Sequence, residues 1–324
     1  MSKLLILGWK ADKHIGFFSD LYDNQRVIVR YIEYRHIPSF LSLLRKIYLS
    51  SRLMVRGIYL PYRHIWFCKD WYQYLETVDT ILLTNGVLDK IDYKVLDSCK
   101  KRGAKIDLFM LDALDANSGI LRGRRHWIFQ PLWSHIFSFE PNDVRNYGFE
   151  YLGFCYYSVD KSIQGHGNTE IDLYFSGNTK GGRSRYVNQI YKYLASKDAI
   201  LRFDVQLHDT NEEVEDGINC INNWIPYREI LLNISKSKCI LEILQRNQTG
   251  PSLRYFEAVC YNKKLITNNP YIVEFPYYNS QWMKIITKAD DIDVDWLQRE
   301  DNVDYQYRGD FSPNKLVDKL LKNE

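Results

Sequence analysis

Ile171-Asp172-Leu173-Tyr174-Phe175-Ser176-Gly177-Asn178-Thr179-Lys180-Gly181-Gly182-Arg183-Ser184 decides the architecture of this chain. A short apolar run meets a glycine-rich turn. Beyond the turn, Val187, Ile190, Tyr191 and Leu194 recur at helical spacing on one face. A strand that turns directly into a helix is the opening half of a βαβ unit, and βαβ units build parallel sheets. Downstream the rhythm continues: strand Ile200–Val205, helix Tyr227–Ser235, strand Lys238–Leu244, a turn at Gly250-Pro251, helix Ser252–Tyr261 and strand Lys264–Thr267. Upstream it runs through strands Lys3–Gly8, Arg26–Ile32, Thr80–Leu83 and Lys105–Leu111, with helix Asp89–Lys101 ending at Gly103, and a further strand at Ile136–Phe139.

The pattern predicts an α/β protein of two doubly wound domains. Polar, glycine-containing Asp160–Thr169 reads as the linker, giving an N-terminal domain over 1–160 and a C-terminal domain over 161–311. Ser312 and Pro313 open a last helix in 312–324, which is expected to pack back toward the N-terminal domain.

With 324 residues, 45% apolar and 26% charged, the chain is long and apolar enough for packed cores, which excludes a disordered chain or a disulfide mini-fold. Six cysteines without CxxC spacing, and an N-terminus with four apolar residues before Gly8, point to a reducing, cytoplasmic setting without a leader. No run approaches the ~20 apolar residues of a membrane span.

Residues 1–160 carry 22 Lys/Arg against 17 Asp/Glu, and the remainder 21 against 23. Between Arg26 and Lys69, nine basic residues face the single acid Glu33. That segment calls for an anionic neighbour. Within it Ile37, Phe40, Leu41, Leu44, Ile47 and Tyr48 form an apolar stripe opposite Ser39, Ser42, Arg45 and Lys46, followed by aromatic Leu60–Phe67. Residues 37–67 are therefore expected to dock on an anionic membrane surface, against the plainer expectation that the stripe packs on the sheet.

The turn Gly177–Ser184 has the composition of a diphosphate cradle. Its glycines let backbone N–H groups approach an anion, the following helix start adds partial positive charge, and Lys180 and Arg183 supply cations. It differs from a Walker A loop by Arg183 at the lysine position, and Arg202 interrupts the apolar run before Asp204 that a Walker B strand needs. A P-loop NTPase or kinase and a plain solvated turn both remain open readings. The second constellation is Gln248-Thr249-Gly250-Pro251-Ser252-Leu253-Arg254-Tyr255-Phe256-Glu257-Ala258, with Asn268 and Asn269 ending the next strand. Ligands of open α/β sheets bind outside the carboxyl ends of strands, where Gly250, Ser252, Asn268 and Asn269 would gather.

From Gly177 to Asn269 the order of elements resembles the C-terminal domain of GT-B nucleotide-sugar glycosyltransferases, and the whole is similar to divergent transferases of bacterial capsule, O-antigen and exopolysaccharide clusters. The match covers roughly residues 170–270, while the N-terminal half shares only the βαβ rhythm. The resemblance implies two Rossmann-like domains facing a cleft. It implies that Lys180 binds the donor diphosphate and Glu257 the donor ribose, with Gly177, Arg183, Gly250, Ser252 and Arg254 around them. Many retaining members carry a first Glu eight residues before the second; that position here is Thr249, so a retaining mechanism does not carry over. A plainer role for Glu257 is pairing with Arg254 on a solvated helix face.

In this family a base in the N-terminal domain takes the acceptor proton. Asp12, His14, Asp112 and Asp115 follow its strands and are the candidates, of which at most one is expected to act. His36, His64, His126 and His135 show no metal-ligand spacing, and Asp293-Val294-Asp295 lies in a solvated acidic run. No metal or cofactor is expected. The leading expectation is a hexosyltransferase joining a sugar from a nucleoside-diphosphate donor to a saccharide or lipid-linked acceptor in surface polysaccharide synthesis, with no nucleic-acid partner. The non-enzymatic alternative is a basic surface module for nucleic acid or lipid, resting on Arg26–Lys69 and Arg122-Gly123-Arg124-Arg125.

Overall fold

The computed structural model describes residues 2–10, 17–115, 120–163, 169–207, 212–222 and 225–322. Two compact units divide the chain: residues 1–158 together with 311–324, and residues 159–310.

In the first unit, strands β1 (Leu4–Trp9), β2 (Val27–Ile32), β3 (Thr80–Thr84), β4 (Lys105–Met110), β5 (Ile136–Ser138) and β6 (Glu150–Tyr151) form a parallel sheet in the order β2-β1-β3-β4-β5-β6. Leu4, Leu5, Ile6 and Leu7 of β1 are fully buried, as befits a central strand covered on both faces. Each such side chain contributes about 1.5–3 kcal/mol when removed from water. The helices of this unit are α1 (Ser42–Tyr48), α2 (Ser51–Val55), α3 (Tyr93–Lys101), α4 (Ile120–Ile128) and α5 (Pro141–Tyr147). Leu96 and Cys99 of α3 and Ile128 of α4 join Leu5, Leu83 and Leu108 in one core cluster. Helix α3 starts later than its sequence pattern suggests, because the Asp92 side chain accepts from Lys94 N at 3.1 Å and caps it there.

The predicted amphipathic helix 37–48 is broken. A short 3-10 turn at Ser39–Leu41 precedes α1, so the apolar stripe does not stay on one face. Ile37, Leu41 and Tyr48 pack on the core, whereas Phe40 (80% exposed), Leu43 (67%), Leu44 and Ile47 stand in solvent.

The second unit holds β7 (Ile171–Asn178), α6 (Arg183–Ala195), β8 (Leu201–Gln206), β9 (Asn219–Cys220), α7 (Tyr227–Ser235), β10 (Ser237–Glu242), α8 (Leu253–Cys260), β11 (Lys264–Thr267), β12 (Met283–Ile285) and α9 (Val294–Gln298). Its parallel sheet runs β12-β11-β10-β7-β8-β9. Val187, Ile190 and Leu194 of α6 pack on Leu173, Phe175, Phe203 and Val205. Asp293 of the Asp-x-Asp sequence caps α9, its side chain accepting from Trp296 N at 3.0 Å.

Helix α10 (Pro313–Lys322) returns to the first unit. Arg26 pairs with Asp318 at 3.2 Å, Lys319 Nζ donates to Leu152 O at 2.8 Å, and Ser312 Oγ donates to Asp20 Oδ2 at 2.6 Å.

Candidate functional site

Both sheets are doubly wound, and each has a point where the chain, having built outward on one side, returns to build on the other. In the second unit it lies between β7 and β10, in the first between β1 and β3. In open sheets of this kind the loops leaving the two strands at such a point usually diverge, and ligands bind in the crevice between them.

At the end of β7, Asn178 Oδ1 accepts from Lys180 N at 3.2 Å, an Asx turn that reverses the chain. Gly181 and Gly182 take φ values of +74° and +79°, where a side chain would be strained, and nothing lies within 4 Å of where their Cβ atoms would be. Arg183 turns inward beneath this arch. Its Nε donates to Lys180 O at 3.1 Å, Nη1 to Ile243 O at 3.1 Å and Nη2 to Asn178 Oδ1. Burial pulls the guanidinium down to about 10. Arg183 is thus spent on the loop backbones after β7 and β10, and Lys180 is the cation left at the turn, its Nζ making no hydrogen bond or ion pair among the described residues. The P-loop reading loses its parts here, since Arg183 is tied down and Asp204 is buried, accepting from Asn219 Nδ2 at 2.7 Å and Arg202 Nε at 3.3 Å.

At the end of β10, Glu242 braces the next loop. Ser252 Oγ donates to its Oε1 at 2.5 Å and Thr267 Oγ1 donates to its Oε2. Ser252 caps α8 by accepting from Arg254 N at 3.1 Å, while Leu244 N donates to Asn268 Oδ1 at 2.8 Å and Asn269 Nδ2 to Thr249 O at 3.1 Å. These bonds bring the Gly250–Ser252 turn against Asn268 and Asn269. Glu257, on α8, is fully buried. Tyr227 Oη donates to its Oε1 at 2.8 Å, and Arg254 Nη1 lies 2.7 Å from Oε2 but out of line for a hydrogen bond. Pairing with Arg254 therefore occurs, but in the core and not on a solvated face. Burial outweighs Arg254 and Tyr227 and lifts the Glu257 carboxyl to about 7.

Among the first unit's candidate bases, Asp12 and His14 lie outside the described residues. Asp112 accepts from Asn85 Nδ2 at 3.0 Å, and Asp115 accepts from Tyr147 Oη at 2.6 Å and pairs with Arg125 at 3.2 Å. The loop that carries them is held by buried Asp143, whose two oxygens both lie 3.1 Å from Leu114 N and whose carboxyl burial pushes up to about 6.

Two of the basic residues counted toward a basic surface are not on it. Arg63 and Arg124 are drawn inside with Lys90 around the single carboxylate of Asp89. Asp89 lies just past β3, where charge can be bonded to loop backbone, and the sequence read only as far as a run of like charge. The His126 ring lies tilted against Tyr59 and Trp127, with ring centroids at 4.6 and 4.0 Å. Among the described residues no group of three or more His, Cys, Asp or Glu side chains converges to hold a metal ion, and no helix is long and apolar enough to cross a membrane.

No protein-family sequence model and no curated protein sequence matches this chain. Solved structures do. An alpha-glucosyltransferase in complex with UDP and a 13-mer DNA containing a central A:G mismatch superimposes with a TM-score of 0.51 at 13% identity, covering 83% of this chain and 81% of that one. A putative UDP-N-acetylglucosamine 2-epimerase from Listeria monocytogenes gives 0.53 at 7% identity, over 99% and 97%. At such identities the likeness is one of fold. The chain has the GT-B fold, two Rossmann-like doubly wound α/β units in tandem.

Proposed function

We propose that the chain is a glycosyltransferase that binds a nucleoside-diphosphate sugar at the β7/β10 edge of its second unit and a saccharide or lipid-linked acceptor on its first, in the synthesis of a bacterial surface polysaccharide. The observation that carries this reading is the turn after β7, where an unengaged Lys180 stands beside two open glycines and the start of the long helix α6. In the transfer, an acceptor hydroxyl oxygen forms a bond to the anomeric carbon as the bond from that carbon to the donor diphosphate breaks. The hydroxyl proton passes to a carboxylate of the first unit, for which Asp112 and Asp115 are the described candidates. Lys180 and the helix start offset the charge gathering on the departing diphosphate. Glu257 Oε2, which takes no hydrogen bond among the described residues, is the acceptor for a ribose hydroxyl.

Exposed Phe40, Leu43, Leu44 and Ile47 beside Arg45 and Lys46 support docking on an anionic membrane, where a lipid-linked acceptor would lie.

A thermal-shift panel of UDP, GDP, dTDP, CMP and ATP tests the donor site. A true ligand at 100 times its Kd adds about 2.7 kcal/mol of stability. In Lys180→Ala the diphosphate binds more weakly by about 1.5–3 kcal/mol while the nucleoside is little affected. Equal losses for nucleoside and diphosphate would remove Lys180 from the phosphate site, and no stabilisation by any nucleotide would overturn the reading.

A further inference from the structure

Arg63, Lys90 and Arg124 converge on one acid at the carboxyl edge of β1 and β3. Arg63 Nη2 lies 2.9 Å from Asp89 Oδ2, Lys90 Nζ 2.8 Å from Asp89 Oδ1, and Arg124 Nη2 2.9 Å from the same oxygen. Arg63, Asp89 and Lys90 are buried, with exposures of 6, 5 and 7%, and Arg124 is mostly buried at 12%. The remaining bonds go to backbone: Arg63 to Tyr48 O, Lys90 to Gly86 O at 2.8 Å, Arg124 to Asn85 O at 3.2 Å. Two positive charges are left over among the described residues. The Trp9 ring, 4.6 Å from Lys90 Nζ, offsets only part of one. The Nε–H groups of Arg63 and Arg124 are buried and have no acceptor among the described residues.

A structural brace needs neither feature. One cation per carboxylate closes a buried pair, whereas surplus buried charge and orphaned donors are destabilising unless something supplies negative charge and acceptors. Guanidinium forks match the oxygens of a phosphoryl group, and the cluster lies at the switch point where open sheets take ligands.

We propose that Arg63, Lys90 and Arg124 bind a phosphoryl group, so that the acceptor of this transferase is a phosphate-bearing molecule. The inference rests on the acceptor role assigned above to the first unit. The phosphoryl group belongs either to a soluble phosphomonoester or to a lipid headgroup, which share this chemistry.

The test is calorimetric titration of the full chain with phenyl phosphate, with neutral phenyl β-glucoside as control. Wild type and Lys180→Ala are expected to bind phenyl phosphate equally, and Arg124→Gln at least tenfold more weakly. Lys90→Gln, which removes charge but keeps a donor for Gly86 O, serves as second variant if Arg124→Gln does not fold. Sedimentation with phosphatidylcholine vesicles carrying phosphatidic acid separates the two sources: loss in Arg124→Gln assigns a lipid phosphate, retention with loss of phenyl phosphate binding assigns a soluble one. Wild-type affinity for phenyl phosphate in a folded Arg124→Gln or Lys90→Gln variant, or weakening confined to Lys180→Ala, overturns the proposal. Nucleotide affinities measured on the same variants keep it distinct from the donor site. If nucleotides bind and phenyl phosphate does not, the phosphate inference alone falls.

Discussion

Near the carboxyl edge of β7 and β10 the fully buried acids are Glu242, held by the Ser252 and Thr267 hydroxyls, and Glu257, held by the Tyr227 hydroxyl with Arg254 beside it. At the same edge of β1 and β3 the buried groups are guanidinium and ammonium, three cations about one acid. The two signs have different escapes from the cost of burial. A buried carboxylate can shed its charge by taking up a proton, and burial raises both Glu242 and Glu257 in that direction. Guanidinium groups do not shed their charge near neutral pH, so Arg63 and Arg124 about the one carboxylate of Asp89 have no such escape. Arg183, drawn in beneath the second unit's glycine turn, spends its N–H groups on two carbonyls and the Asn178 side-chain oxygen.

Arg183→Ala puts the greatest strain on this comparison. It leaves Lys180 O and Ile243 O without their donor and frees the arch over the diphosphate position, so we expect a loss of about 3 kcal/mol of stability and of nucleotide binding together. A folded variant of unchanged melting temperature that still binds nucleotide would show Arg183 to be no brace.

Opposite pH slopes follow from the opposite signs. Glu257 is raised to about 7, so the native state holds a proton that the unfolded chain releases from about pH 4.5 upward; stability from this group falls as pH rises to 7. The amount is on the order of 3 kcal/mol, and Glu257→Gln should remove it from the pH dependence of urea unfolding. Lys90 is lowered to about 8, chiefly by burial, so the native state gives up its proton first and stability from this group rises between pH 8 and about 10.5. Lys90→Met should flatten that rise. Changes of slope relative to wild type that have the same sign in both variants would end the contrast.

The smallest effect belongs to the surface. Phe40, Leu43 and Ile47 changed together to Ser should shift stability by less than about 0.5 kcal/mol, because these side chains are not in the core. Sedimentation with anionic vesicles should nevertheless fall. A large stability loss without any change in vesicle binding would make the patch structural.

The sequence by itself determined the sheet class and most of the elements. Leu4–Leu7, Leu173–Phe175 and Ile240–Leu241 are continuous apolar runs that only a strand buried on both faces can use, and the turn after Phe175 carried its glycines openly. The Ser252 cap of α8 was not read from the sequence, which gave Ser252 only a place in the ligand cluster. Three short strands, β6, β9 and β12, were not read from the sequence; two or three residues are too few to set a period.

What only the tertiary structure decided was the partner of each charge. Arg63 and Asp89 are 26 residues apart, and Arg183 reaches Ile243 across 60. Spacing along the chain shows that a side chain is cationic but not whether it faces water, a carbonyl or an acid. That depends on which loops the parallel crossovers bring to one edge. The same limit explains residues 37–48, where periodicity gave a single apolar face. Packing took Ile37, Leu41 and Tyr48 from that face and left Phe40, Leu44 and Ile47 outside, because the segment begins as a 3-10 turn at Ser39–Leu41 before becoming helix, so one helical period does not run through it.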